Sequence, residues 1–379
     1  MYFFKKSRKI KVCFFLMYHS VFSAKNIYYN MLRDNKFDPF IVIIPDIMRS
    51  NGQELALMKQ EYNAAYQKYE KVYSSYDFLN NRYTDFSKNC DIAFVSTLYK
   101  NHTHKFYTPE YFKEKGVRTC FVNYGYSVSK YGNNILNGCN VDKVFIESEI
   151  IKNELKLPNN RICCLGNPKM DNFVLAYKKM KKRLRKRILI SPHHTIINWE
   201  NGLNLSNFIK YSDFFLQLPK FYPQIDFVYR PHQLLSYNLK HFNIWDDEKI
   251  SNYINTMRSY SNVYVSHTSE DYFDIFVNSD GIIHDCGSFM AEYLFSGNPA
   301  CYMINEHTRQ DLNDFGNKCV DMHYQAFNEQ DIVNFIDNVI LNGEDPMKEK
   351  RRAFVYDELK INYPNSAKAI CKYIKKELI

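Results

Sequence analysis

Asn278-Ser279-Asp280-Gly281-Ile282-Ile283-His284-Asp285-Cys286-Gly287-Ser288-Phe289-Met290-Ala291-Glu292 is the stretch from which the fold is read. An apolar strand at 281–284 runs through Asp285 into a Gly287-Ser288 turn and then a helix. Backbone N–H groups and the helix dipole at such a turn favour a phosphate. Asp285, Gly287 and Ser288 are therefore expected to bind an anionic donor. Ser288 has two readings, a cap on the helix or a bond to a phosphate oxygen. Glu292, four residues on, shares its face of the helix. It is read either as the carboxylate that accepts both ribose hydroxyls of a nucleotide or as a solvent-facing residue.

Working outward, the same grammar repeats in both directions. The second half has short apolar runs at 188–190, 227–229, 263–265, 281–284 and 300–303. Helices are predicted at 205–216, 270–278, 289–295 and 331–339, with Asn328 as a cap for the last of these. The first half has runs at 11–17, 40–44, 92–95, 119–123, 144–146 and 162–165, and a Tyr-, Lys- and Glu-rich helix at 53–79. Continuous apolar runs separated by helices mark parallel sheets covered on both faces. Two such arrays joined near residues 172–186 predict an α/β protein with domains at 1–175 and 176–345. Residues 346–379 are expected to form a helical segment, broken near Pro364, that packs back across the junction. Ligands of open parallel sheets bind beyond the carboxyl ends of the strands, so a central cleft between the arrays is the expected site.

Other motifs fall at those strand ends. Ser191-Pro192-His193-His194-Thr195 follows one strand and Arg230-Pro231-His232 the next. A guanidinium and imidazole N–H donors converging there suit a pyrophosphate. His193, His194, Thr195, Arg230 and His232 join the donor-binding set.

The chain's 379 residues are 45% hydrophobic and 16% aromatic, enough to build two cores and to exclude a disordered chain. A net charge of +9 points to an anionic partner without choosing one. The ten cysteines show no CxxC pair and no zinc spacing, so they read as reduced, buried thiols rather than disulfides or metal ligands. Lys5-Lys6 and Arg8-Lys9 precede an apolar run at 12–18 that is too short for a membrane helix. It reads as a first buried strand rather than a signal peptide. No carboxylate cluster suggests magnesium, so neither metal nor cofactor is expected beyond the donor.

The order of these pieces resembles the CDP-glycerol glycerophosphotransferases that build teichoic-acid-type polymers. Gly166-Asn167-Pro168-Lys169-Met170-Asp171 is similar to that family's Gly-x-Pro-x-x-Asp stretch. Residues 188–195, 227–232 and 277–303 match its later blocks, the last with Gly297-Asn298-Pro299 in place of Gly-Lys-Pro. The resemblance covers about residues 120–340. It implies a GT-B-like fold of two Rossmann-like domains, a CDP- or UDP-activated donor, and a glycan or lipid-linked acceptor of a surface polysaccharide. The implied product is a capsule, lipooligosaccharide or teichoic-acid-like polymer, without implying a processive polymerase. The chain departs from the family where its His-Gly pair is Tyr124-Gly125 here, where His193-His194 replaces Trp-Arg, and where Gln233 follows His232. The block at 285–292 is also similar to that of UDP-N-acetylglucosamine 2-epimerases, so an isomerase is an alternative. A non-catalytic basic protein bound to membrane or nucleic acid is another.

Tyr124 stands at the family's base position, with Gly125 beside it in the implied donor-binding set, but a tyrosine of ordinary pKa is a poor base at neutral pH. His19, just after the first strand, is the candidate base, in keeping with the histidine that many GT-B glycosyltransferases place in that loop. The competing reading has His19 capping a helix near residues 20–23. His102 and His104 are next in line. The run at 178–187 carries eight Lys or Arg in ten residues. It reads as a solvated linker or as a site for anionic lipid. No nucleic-acid motif accompanies it, and no nucleic-acid partner is expected. These readings place the protein in the cytoplasm, peripheral at the inner face of the membrane.

Overall fold

The computed structural model describes residues 8–99, 101–197, 203–266 and 272–378. Lys5, Lys6 and the expected helix start at Glu270 lie outside the described residues. The chain forms two compact units. The first comprises Met1–Gly125, Asn134–Asp171 and Ile361–Ile379, and the second Tyr126–Asn133 and Asn172–Lys360.

In the first unit, strands β1 (Ile10–Leu16), β2 (Phe37–Ile43) and β3 (Val72–Ser74) are followed by a small antiparallel hairpin, β4 (Tyr76–Asp77) and β5 (Arg82–Tyr83). Then come β6 (Ile92–Phe94), β7 (Arg118–Val122), β8 (Lys143–Ile146) and β9 (Ile162–Cys164). The main sheet is parallel, in the order β3-β2-β1-β6-β7-β8-β9. Its inner strand β1 is sealed on both faces, because Val12, Cys13 and Phe14 are all fully buried. That is why the run reads as continuously apolar rather than alternating.

The second unit contains β10 (Arg187–Ser191), β11 (Asp226–Tyr229), β12 (Val263–Val265), β13 (Gly281–His284), β14 (Ala300–Met303) and β15 (Tyr324–Ala326). Its parallel order is β12-β11-β10-β13-β14-β15, with Ile190 opposite Tyr229 on one side and Ile283 on the other. Winding outward in both directions from a first central strand is the Rossmann arrangement, and the order reverses between β10 and β13. The loops that leave those two strands part at the reversal. They carry His193 and Ser288.

The expected helix at 53–79 is corrected. It spans Glu54–Lys68, and the chain then turns into β3 and the hairpin. The helix expected at 289–295 is an α-helix only over Phe289–Glu292 and continues as a 3-10 turn, Tyr293–Ser296. Asn328 does cap the Glu329–Asn334 helix, within a reciprocal box with Asp331. The C-terminal helices are Lys348–Phe354 and Ser366–Glu377, separated around Pro364. Ile370 and Ile374 of the last helix lie in the first unit's core. All ten cysteines are free thiols. Among the described residues, no helix is long and apolar enough to cross a membrane.

The Gly166–Asp171 stretch is the seat of the last helix. Gly166 has φ +82°, and a Cβ there would lie 2.0 Å from the Ile361 carbonyl oxygen, so only glycine fits. Asp171 accepts the N–H groups of Ser366 (2.9 Å) and Ala367 (2.8 Å). It therefore caps the first turn of the Ser366–Glu377 helix from a distant part of the chain.

Candidate functional site

In the second unit, backbone and side-chain bonds lock three strand-end loops together. Ser191 Oγ donates to the Arg230 carbonyl (2.7 Å), and His232 N donates to the Pro192 carbonyl (2.9 Å). Cys286 Sγ donates to the Ser191 carbonyl (3.2 Å), tying β13 to β10. Asp285 completes the knot. Its two carboxylate oxygens accept the N–H groups of His193 (2.6 Å) and Asn207 (2.5 Å), and it is fully buried. Burial pushes its carboxyl up to about 7, against the pull of those N–H groups. The expectation that Asp285 contacts a donor is corrected: both oxygens are used inside the protein, and the residue positions the loop that carries His193.

His193, His194 and His232 come together. Their ring centroids are 4.4 Å (His193–His194), 4.1 Å (His194–His232) and 5.2 Å (His193–His232) apart. Their nitrogens form a group compact enough for a metal ion. The outer contacts of the rings argue for another use. His232 Nδ1 accepts the Leu234 backbone N–H (3.2 Å), so in the neutral ring the proton sits on Nε2. His194 Nδ1 faces the Asn238 amide nitrogen (3.1 Å), which also donates to the His194 carbonyl (2.8 Å), and this sets the same tautomer. A metal bound through Nε2 would need that proton removed, since Nδ1 of both rings is already engaged. His193 Nδ1 is held by Thr195 Oγ1 (2.9 Å), whose oxygen also accepts the Leu205 N–H (3.1 Å). Thr195 is thus a support for His193.

Burial keeps all three imidazoles neutral. The pKa falls to about 4 for His194 and to about 3 for His232, where the neighbouring His194 and Arg230 add to burial. For His193, burial and then the adjacent imidazoles push it well below the ordinary value. The sequence reading took these residues as donors to a pyrophosphate. In the free protein they are neutral donors, not cations.

Gly287 and Ser288 follow directly. The N–H groups of Gly287, Ser288 and Phe289 meet no acceptor among the described residues. Ser288 makes no capping bond with its side chain, so the capping alternative is not realised. A Cβ at Gly287 would make only ordinary contacts, the nearest 3.5 Å from Val128 Cγ2.

Arg230 and Glu292 meet through a residue the sequence reading missed. The Arg230 guanidinium lies 4.9 Å from the Tyr272 ring centre and 5.6 Å from that of Phe289. The Tyr272 hydroxyl donates to Glu292 Oε2, and Glu292 is fully buried. The solvent-facing alternative for Glu292 is excluded. Nothing local in the sequence announces Tyr272, which lies 20 residues from its partner.

The first unit carries the other predicted residues on its own strand-end loops. His19 opens a 3-10 turn after β1. Its Nδ1 lies 2.6 Å from Glu61 Oε2, and the same oxygen accepts the His19 backbone N–H (3.0 Å). The ring is therefore engaged by a carboxylate instead of capping a helix. Glu61, on the Glu54–Lys68 helix, was missed because it reads as one more charge on a polar face. Tyr124 follows β7 and is exposed, with the Lys169 ammonium 4.1 Å from its ring centre. Gly125 is its neighbour in that loop. His104 caps a 3-10 turn through the Phe106 N–H (3.4 Å) and stacks on Tyr83 at 4.0 Å, a structural role. His102 stacks on Tyr99 at 4.9 Å, and its carbonyl accepts the Ile47 N–H (2.9 Å). Burial and then the Arg49 charge lower its pKa.

Two Rossmann-type parallel sheets in one chain define a GT-B-like α/β fold, and comparison with solved structures agrees. The UDP-GlcNAc 2-epimerase from Neisseria meningitidis, bound to UDP-GlcNAc, superposes with a TM-score of 0.59 at 16% identity, covering 98% of this chain and 100% of that one. The wall teichoic acid polymerase TagF, soaked with CDPG, gives 0.61 at 12% identity, covering 98% and 89%. The S. aureus MnaA–UDP structure gives 0.59 at 12% identity, covering 98% and 97%. At these identities the likeness is one of fold. No protein-family model and no curated protein matches the chain.

Proposed function

We propose that the second unit binds the diphosphate of a CDP- or UDP-activated donor, and that the protein transfers a glycerol-phosphate, other polyol-phosphate or sugar group to a surface-polysaccharide acceptor. The observation that carries this reading is the tautomer of the histidine group. With Nδ1 of His194 and His232 engaged, Nε2–H is left as the donor of each ring, on loops tied to the one that carries the N–H groups of residues 287–289, which meet no acceptor among the described residues. Neutral N–H donors of this kind hold pyrophosphate oxygens and stabilise charge that develops on a leaving nucleotide. Glu292 receives the ribose hydroxyls once they displace the Tyr272 hydroxyl. His19 serves as base: with Nδ1–H held by Glu61, Nε2 takes the proton of the acceptor hydroxyl as its oxygen attacks the donor. The nucleotide departs with the electrons of the broken bond. No metal takes part in this scheme. The similar structures hold CDPG in one case and UDP-GlcNAc in another, which is the reason to test both nucleotides.

The test is incubation with CDP-glycerol and UDP-N-acetylglucosamine in excess EDTA, with nucleotide release and sugar configuration followed together. A transferase, or its slow hydrolysis in the absence of acceptor, releases CMP or UDP. Conversion of UDP-N-acetylglucosamine to its 2-epimer without nucleotide release assigns the isomerase alternative. Activity that appears only after magnesium replaces EDTA contradicts the metal-free scheme.

A further inference from the structure

A concavity lies in the second unit, lined by none of the residues of the donor site. Its volume is about 680 Å³, and Lys179, Lys181, Lys182, Arg183 and Arg187 line it. The lysines reach into water, yet all five cations border the same concavity. Much of the remaining lining is apolar. Val228 and Tyr264, register partners on β11 and β12, contribute to it together with Ile275. Tyr264 is among the exposed large side chains. The volume falls within the roughly 300–1,000 Å³ usual for small-ligand sites.

The charge there is only partly compensated. Asp274 holds Lys179 (3.0 Å), Asp280 holds Arg183 (2.8 Å) and Lys186 (3.7 Å), and Asp226 holds Arg185 (2.9 Å) and Arg187 (3.7 Å). Three carboxylates thus face seven cations between residues 179 and 187. Lys181 and Lys182 have no ion pair among the described residues, although the Lys181 backbone is pinned by Asn278 (2.8 Å). The Nε atoms of Arg183 and Arg187 are buried without an acceptor. Between the basic residues, Met180 is 60% exposed and Leu184 wholly exposed. Cations interleaved with bare apolar side chains and set over an apolar wall match an amphiphile: a phosphate group joined to an apolar body.

We infer that this pocket binds a phosphate headgroup, and that a lipid at an anionic membrane surface supplies it. The inference stands apart from the donor reaction, since no residue of the pocket belongs to the donor site.

The test is co-sedimentation with phosphatidylcholine vesicles, plain or containing phosphatidic acid. A parallel titration with inorganic phosphate and glycerol 3-phosphate separates lipid from soluble phosphate. Two variants are compared with the wild type, one combining Lys181→Gln with Lys182→Gln, the other Tyr264→Ala. All three side chains are exposed, and titration with CDP or UDP checks that each variant keeps its fold and donor site. Wild-type protein should sediment with phosphatidic acid vesicles and not with plain ones. The double variant should lose at least about tenfold in partitioning, and Tyr264→Ala several-fold. Binding of the soluble phosphates without sedimentation, lost in the same variants, would keep the phosphate site and assign it a soluble ligand. Equal behaviour of wild type and double variant in both arms overturns the site. Loss in the lysine variant with none in Tyr264→Ala overturns the pocket in favour of a diffuse charged patch.

Discussion

His19 and Glu61 meet through ring and backbone at one carboxylate oxygen, a geometry that fixes both the tautomer and the direction of an imidazole. If His19 is the base, His19→Ala should cut turnover by about a hundredfold or more. Glu61→Gln should cut it less, since the amide oxygen can still accept the Nδ1 proton. In both variants nucleotide affinity should stay unchanged, and steady-state kinetics beside calorimetry reads the two quantities separately. Wild-type turnover in His19→Ala removes it from the mechanism. Glu292 makes a paired case. Glu292→Gln should weaken CDP or UDP binding by about 1–3 kcal/mol, while Tyr272→Phe, which removes the competing hydroxyl, should not weaken it. The reverse pattern would make Tyr272 the ribose contact. Asp285 gives a prediction in pH. Its folded pKa, about 7, lies above the unfolded carboxylate value. Its contribution is therefore greatest at low pH and is lost as pH rises from about 4 to about 7. Asp285→Asn leaves one of two buried N–H groups facing an amide NH2, at a cost of about 1–3 kcal/mol. Chemical denaturation should show the gap between wild type and variant narrowing over that pH range, and a widening gap contradicts the assignment.

At the scale of elements, the last helix depends on a cap it does not itself encode. Asp171→Ala removes the acceptor of Ser366 and Ala367 and should cost about 1–2 kcal/mol. Gly166→Ala, which drives a methyl into the Ile361 carbonyl, should cost more. Chemical denaturation measures both, and wild-type stability in Gly166→Ala would refute the close approach. The strands that were legible in the sequence are those buried on both faces. β1, β10, β13 and β14 read as unbroken apolar runs because no face meets water. β3 was lost inside a predicted helix because Val72-Tyr73-Ser74 buries only Val72. β15 went unread for the same reason, with only Ala326 buried. The site was legible where residues sit at strand ends, as His193, His194, Arg230 and His232 do. Glu61, Tyr272 and Asn238 were not, because each acts on a residue at least 20 positions away and none interrupts its local pattern.

For the whole molecule, the donor-binding claim rests on neutral imidazole donors, His193 buried and His194 and His232 half-buried. A bound diphosphate raises the pKa of nearby histidines, so binding takes up protons and tightens as pH falls toward the imidazole range. Calorimetric titration with CDP and UDP at about pH 8 and about pH 6, in buffers of different ionisation enthalpy, measures affinity and proton uptake together. The account predicts that at least one nucleotide binds, more tightly at the lower pH and with net proton uptake, and that His232→Ala weakens it by about tenfold through the loss of one donor. Absence of binding by both nucleotides, or an affinity indifferent to both pH and His232→Ala, would contradict it.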